Sequence, residues 1–299
     1  MAMATTLTDQ VRATCADIAA NARSVRIDTE RLAGLDPGPL PEMDPERHYL
    51  EGDPADVATY VLTLDAINFG SGWFPTLRKR RGPDGHAVSG YFTVSWGLAD
   101  RFRALGPWTN AELRAMHTEE IADVIGQPHG HELMALFAQA LRQLGGFLGD
   151  RTALDVVAEA GGSAVRLAEM LAGGMSMFAD HGFYKRAQIT GSDLALAGVA
   201  SFGDIDRLTI FADNLVPHVL RCDGVLVYDE RLAAHIDAGR PLRCGPQERE
   251  IRACAVHACA LLAERTGITE RDIDNALWTR GGTPEYKAVP RHRCRTIFY

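Results

Sequence analysis

Between Asp53 and Gly281 apolar residues recur at intervals of three and four, and most of these runs are bracketed by a helix start and a helix stop. A period near 3.6 puts such side chains on one face, so a chain patterned this way must bury helix against helix. In "DPADVATYVLTLDAINF", Asp53 stands as N-cap and Pro54 at the first helical position, ahead of Val57, Tyr60, Val61 and Leu64. "NAELRAMHTEEIADVIG" and "HELMALFAQALRQLGGFLGD" continue the pattern, and "ALDVVAEAGGSAVRLAEMLAGG" stops on Gly173 and Gly174. Asp229 and Gly239 bracket "YDERLAAHIDAG". Pro246 and Gly267 bracket "CGPQEREIRACAVHACALLAERTG", with Glu248 in the first turn, where the helix dipole favours an acid. Thr269 and Asp272 resemble a capping box before "IDNALWTRGG", which Gly281 ends. Only "SGYFTVSW" and the terminal "RCRTIFY" look like strands. The expected fold is mainly α, a single helical domain over residues 1–299 with at most a small sheet. The Pro-rich loop "GLDPGPLPEMDPERHYLEGDP" is too short to separate two domains.

Charge and cysteine usage narrow the function classes. The 39 acidic and 31 basic residues give a net charge of -8, which disfavours a long grip on a polyanion and so direct nucleic-acid binding, but leaves room for one small anion. The six cysteines form no CxxC pair, and the N-terminus lacks a basic start followed by an apolar core, so reduced thiols and a cytoplasmic location are expected. No run approaches the ~18 apolar residues that a membrane span needs.

Several short motifs have bland explanations. "FGSGWF" carries two glycines of a dinucleotide fingerprint but no third, and it follows a helical run, which suits a tight turn. "HGHELMA" has Ala135 where HExxH requires its second histidine, so no zinc protease is encoded, and His129 and His131 read as surface or capping residues. "RKRRG", from Arg78 to Gly82, is a solvated loop or a weak phosphate pointer. In "GFYKRAQI", Lys185 and Arg186 either snorkel from a helix start or offer a cation to a phosphate monoester.

"DIDRLTIFADNLVPH", Asp204 to His218, sets three carboxylates and a proline in an apolar run. If Leu208, Phe211, Leu215 and Val219 mark the core face of a helix, Pro217 removes the N–H that the Asp213 carbonyl would receive, and a break or kink is expected there. Asp213 then either caps the turn resuming around Pro217 or faces a cavity, where a carboxylate serves proton transfer or a developing cation. Spacing leaves both roles open.

Taken in order, "LDAINFGSGWF", "SGYF", "FYKRAQI", "FADNLVPHVL", "GVLVYDERL", "EREIRA" and the terminal "HRCRTIFY" resemble the queuosine salvage proteins, queuosine 5'-phosphate N-glycosylase/hydrolases. The resemblance implies a fold similar to helical DNA glycosylases and hydrolysis of the bond joining queuine to ribose 5-phosphate, without metal or cofactor. It implies that Asp213 stabilises the oxocarbenium-like centre and orients water, and that Phe211 and Trp278 stack on the base. Asp274 and Asp204 would hydrogen-bond it, with Tyr91 lining the pocket. Lys185 would take the 5'-phosphate, with Tyr184 and His292 as weaker candidates, and the "HRCRTIFY" tail has a plain alternative as a packed C-terminal segment. The substrate would be a small deazapurine nucleotide, with no membrane partner. This chain departs from the family's "FADYRVPQ" at Asn214, Leu215 and His218, and carries Thr279 where relatives often have an acid. Two rival functions are a glycosylase acting on a base in nucleic acid and a non-catalytic deazapurine nucleotide-binding protein.

Overall fold

The computed structural model describes residues 5–40 and 42–299. Fifteen α-helices follow one another among the described residues: α1 (Leu7–Ala20), α2 (Thr29–Ala33), α3 (Pro54–Ala66), α4 (Gly90–Leu105), α5 (Asn110–Arg114), α6 (Thr118–Ile125), α7 (Glu132–Leu148) and α8 (Ala153–Glu159), then α9 (Ala164–Gly174), α10 (Lys185–Leu196), α11 (Val216–Cys222), α12 (Glu230–Asp237), α13 (Pro246–Thr266), α14 (Glu270–Arg280) and α15 (Pro284–Lys287). Their starts follow the capping grammar of the sequence: the side chains of Asp53, Asp229 and Thr269 accept from Ala55 N, Leu232 N and Asp272 N. Gly126 and Gly267 end α6 and α13 in the left-handed conformation that glycine adopts without a Cβ penalty.

Neither expected strand forms one. Ser89 accepts from Phe92 N, and that cap starts α4 through "GYFTVSW". The terminal "RCRTIFY" buries Cys294, Thr296 and Tyr299 but pairs with no strand: Gly70 N donates to Tyr299 O, and Arg186 Nη2 to Ile297 O. The sheet is a two-stranded antiparallel pair, β1 (Val25–Ile27) with β2 (Leu226–Tyr228), in the register Val25 to Tyr228. No helix among the described residues is long and apolar enough to cross a membrane.

Two hydrophobic cores organise the molecule. The first gathers α3 to α10 around Tyr60, Phe69, Phe102 and Phe137; the second gathers α1, α2 and α11 to α14 around Val11, Val219, Ile251 and Leu277. Ala172 and the ring of Tyr184 pack against both. The segment from 208 to 212 runs along this seam, with Leu208 and Phe211 in the first core and Ile210 and Ala212 in the second. It is not helical, which corrects the helix expected there: Thr209 N donates to Gln188 Oε1 and Phe211 N to Asp274 Oδ1, so side chains take amides that a helix would pair internally. Pro217 therefore breaks no helix; it sits in the first turn of α11, where its missing N–H costs nothing.

The loop after α3 is pressed against the tail. A Cβ built on Gly72 would lie 2.3 Å from the carbonyl oxygen of Cys294. Backbone cannot yield as a flexible side chain does, so Gly72→Ala is expected to destabilise the fold by about 1–3 kcal/mol. A thermal melt checks this, and a wild-type Tm would show that the tail moves aside freely.

Candidate active site

Three backbone pieces meet at the seam: the start of α10, the bend from Phe211 to Leu215, and the inner face of α14. Tyr184 precedes α10 with φ 51° and ψ 40°, a left-handed conformation rare for a tyrosine. The residue after it, Lys185, turns inward and is 5 % exposed, with Nζ donating to Asn68 O at 3.2 Å. Arg186 is buried as well and donates to the carbonyls of Asp65, Ala66, Met177 and Ile297 while lying over the rings of Phe69 and Phe178. Snorkelling is thus excluded for both residues. Arg186 clamps the end of α3 and the tail, and Lys185 is left to face carboxylates.

Those carboxylates are Asp213, Asp65 and Asp193, whose charges all bear on Lys185. Burial pulls the Lys185 ammonium below its ordinary pKa, and Asp213 and Asp65 act against it. Asp65, wholly buried at the end of α3, receives one long hydrogen bond from Asn68 Nδ2 at 3.4 Å and keeps its other oxygen without a partner. Asp193, on α10, is buried nearby. Burial raises the pKa of both, and for Asp193 the charge of Asp65 adds to the rise. A buried cation ringed by acids, none close enough for an ion pair among the described residues, is an arrangement suited to a polar ligand.

Asp213 stands at the bend. Its Oδ1 accepts from Leu215 N at 2.6 Å and Val216 N at 3.2 Å, so one oxygen caps the start of α11. The other oxygen has no hydrogen bond among the described residues, and the side chain is half-buried. The sequence posed capping and a cavity-facing role as alternatives; the geometry allows both, one oxygen for each. Asp274 projects from α14 and is 3 % exposed, with Oδ1 accepting from Phe211 N at 2.8 Å. Burial first, and then the charge of Asp213, push its pKa up to about 8, so near neutral pH Asp274 carries a proton.

Aromatic rings close one side. Tyr91 and Phe92 meet the half-buried Trp278 edge to face, at centroid separations of 5.4 and 6.0 Å. Tyr91 is held by His48: His48 Nδ1 donates to Asp44 O at 2.8 Å, which leaves Nε2 to accept from the Tyr91 hydroxyl at 3.0 Å.

Other expected site residues stand elsewhere. Asp204 spends both oxygens at the start of α9, accepting from Ser163 Oγ at 2.5 Å and Ala164 N at 2.7 Å, so it is a helix cap rather than a base contact. The Phe211 ring is 2 % exposed within the first core, and its amide is the group that meets Asp274. Tyr184 bonds His181 Nδ1 through its hydroxyl at 3.2 Å and acts on the site through its backbone. His292 is buried and pushed down to about 3, chiefly by burial and then by the charge of Arg252, so it offers no charge to a phosphate; it belongs to the packed tail. His131 caps α7, and His129 pairs with Asp123 at the surface. Thr279 is exposed. Sequence reasoning passed over Asp65 and Asp193, although an acid on the apolar face of a helix, as in "YVLTLDAINF", was a visible signal. No group of three or more His, Cys, Asp and Glu side chains that could hold a metal occurs among the described residues.

A helical protein whose buried seam pairs an anchored carboxylate with a protonated one, beside aromatic rings, is built like a glycoside-bond hydrolase. Comparison with known proteins gives the family. The model of the family described as queuosine salvage protein matches residues 47–299. A queuosine 5'-phosphate N-glycosylase/hydrolase of Sphaerobacter thermophilus is 32 % identical over 281 residues, covering 87 % of this chain and 86 % of the relative. Proteins of the same name from Mus musculus and Nematostella vectensis are each 27 % identical, covering 94 % and 86 % of this chain and 96 % and 85 % of their own. The chain belongs to the queuosine salvage protein family.

Proposed function

We propose that this chain hydrolyses the N-glycosidic bond of queuosine 5'-phosphate and releases queuine for salvage into tRNA, acting on a small nucleotide in the cytoplasm rather than on nucleic acid. The observation that carries the proposal is the pair Asp213 and Asp274 at the seam, one anchored through a single oxygen and the other protonated near pH 7. Cleavage passes through a ribosyl centre of oxocarbenium character. The free oxygen of Asp213 would face that centre, stabilise its charge and orient the attacking water. The departing deazapurine is a poor anion, and the proton on Asp274 would be donated to it, while Phe211 N holds the acid's other oxygen in place. Trp278 and Tyr91 would frame the base, Phe211 would back the pocket from the core, and Lys185 would reach the phosphate end.

The pH dependence tests the acid role. Because the raised pKa of Asp274 means a proton is needed, kcat/KM for queuosine 5'-phosphate should hold up to about pH 8 and fall above it. Asp274→Asn keeps an oxygen for Phe211 N and an N–H donor for the base, so this falling limb should disappear. A limb unchanged in Asp274→Asn would assign the titration to another group. Stability follows the same sign: a raised folded pKa contributes stability that is present below the unfolded value of 3.8 and lost as pH rises towards about 8. Asp274→Asn should therefore gain in Tm relative to wild type as pH increases across that window.

A further inference from the structure

All six cysteines are free thiols, and their surroundings differ. Cys15, Cys254 and Cys259 are sealed in the second core. Cys222 is exposed, and the side chain that its thiol meets is the imidazole of His218, 3.6 Å away at Nε2. Cys244 and Cys294 form a pair of another kind, the first exposed and the second buried.

Backbone contacts bring the two together. Cys244 lies between α12 and α13, on a stretch that runs beside the C-terminal tail. Leu242 N donates to Arg293 O at 2.8 Å, and the Cys244 thiol donates to Arg295 O at 3.6 Å. The two acceptors are the carbonyls one residue before and one residue after Cys294, so the contacts bracket it. Donors two residues apart thus meet carbonyls two residues apart in the same direction, and Cys294 lies level with the stretch from Leu242 to Cys244. The thiols are linked as well: burial first, and then its hydrogen bond with Cys244, hold the Cys294 thiol above its ordinary pKa. Cys294 cannot retreat, because Gly72 is pressed against its carbonyl. Cys244 can approach, since Pro241, Arg243 and Cys244 are exposed and only Leu242 of that stretch is buried.

We propose that Cys244 and Cys294 are an oxidative modification site, closed by hydrogen peroxide to a reversible disulfide that fastens the tail to the stretch ahead of α13. Cys244, the accessible thiol, gives up its proton and attacks one peroxide oxygen; the O–O bond breaks, the departing hydroxide takes the proton as water, and a sulfenic acid remains. The Cys294 thiol then attacks that sulfur, the S–S bond forms, and the second oxygen leaves as water with the Cys294 proton. Each cysteine loses one electron, and one peroxide is reduced to two waters. A small thiol reverses the bridge by exchange, so in a reducing compartment the pair stays open until oxidant appears. The tail thus fastened is the one whose carbonyls accept from Asn214 Nδ2 at His292, from Arg186 Nη2 at Ile297 and from Gly70 N at Tyr299. Closing a loop of about 50 residues restricts the unfolded chain, so the oxidised form gains stability.

The test treats the full chain with hydrogen peroxide, alkylates the remaining thiols after denaturation and maps the peptides by mass spectrometry. The expected product is a Cys244–Cys294 linked peptide, lighter by two hydrogens than the sum of its parts and separated by dithiothreitol. The oxidised protein should melt several degrees above the reduced one. Cys244→Ser, an exposed change whose hydroxyl can still donate to Arg295 O, should give neither the link nor the shift, whereas Cys222→Ser should retain both. Cys244 oxidised while Cys294 is recovered alkylated, a link to Cys222 instead, or an equal shift in Cys244→Ser overturns the assignment. Neither readout needs turnover. An unlinked protein that still hydrolyses queuosine 5'-phosphate sinks this inference alone, and a linked protein whose reduced form leaves that substrate intact sinks the hydrolase reading alone.

Discussion

Asp213→Asn should lower kcat on queuosine 5'-phosphate by at least about a thousandfold, roughly 4 kcal/mol of transition-state stabilisation at 1.36 kcal/mol per decade. The substitution separates the two jobs of one side chain. Asparagine keeps an oxygen to accept from Leu215 N and Val216 N, so the start of α11 stays capped, but the negative charge proposed to face the ribosyl centre is gone. Folding, melting temperature and queuine binding should therefore stay near wild type while single-turnover rates collapse. Asp213→Ala removes the cap too and should cost a further 0.5–2 kcal/mol or so of stability. A variant pair in which Asn unfolds as readily as Ala would make Asp213 a structural residue.

Arg252→Ala should be the most damaging change to the fold. Arg252 is buried on α13, with Nη2 2.5 Å from Asp180 Oδ2 and Nε donating to Ala212 O at 2.8 Å. Its guanidinium also lies 3.9 Å from the centroid of Phe183 and 4.5 Å from that of Tyr299. Asp180 in turn accepts from Lys185 N, so a single ion pair joins the start of α10 to the bend that presents Asp213. Deleting the arginine strands two buried carboxylates, Asp180 and Glu248, and an unpaired carbonyl, at a cost of about 3–5 kcal/mol. In a chain of this size that is a Tm loss on the order of 10 °C. Removing the Asp180 charge as well, as Arg252→Met with Asp180→Asn, should recover part of the stability, because one fewer buried carboxylate is then left without its cation, Glu248 still lacking its own. It should not recover kcat, since Ala212 O, next to Asp213, loses the donor that fixes it. Full recovery of both would show that the pair has no part in arranging the site.

The helices read from the sequence were legible where caps and periodicity agree: Asp53 with Pro54, Asp229 and Pro246 act in the structure as the sequence suggests, and Thr269 caps α14 through Asp272 N, although Asp272 does not return the bond that a capping box needs. The bend carrying Asp213 was misread for a physical reason. Leu208 and Phe211 recur at helical spacing, but they belong to one core while Ile210 and Ala212 belong to the other, and a non-helical segment between two apolar bodies imitates a helix buried on one side. Side-chain acceptors such as Gln188 and Asp274 complete its hydrogen bonding from far along the chain, which no local pattern reveals. Strands of three residues are too short to show alternation, so β1 and β2 were invisible, and the tail was taken for a strand because burial alone selects the same residue types. Lys185, Asp213, Asp274, Trp278 and Tyr91 were singled out in the sequence through ordered motifs. Asp204 was misassigned because an acid before an apolar run suits a cap as well as a ligand.

The measurement that bears most directly on the central claim is the reaction of the wild-type chain with queuosine 5'-phosphate, followed by chromatography for free queuine and ribose 5-phosphate. The account predicts equimolar release of both products, with queuine formation failing in Asp213→Asn although that variant still binds queuine. Queuosine 5'-phosphate bound but recovered intact from the wild-type protein, or released products at an equal rate from Asp213→Asn, would contradict it.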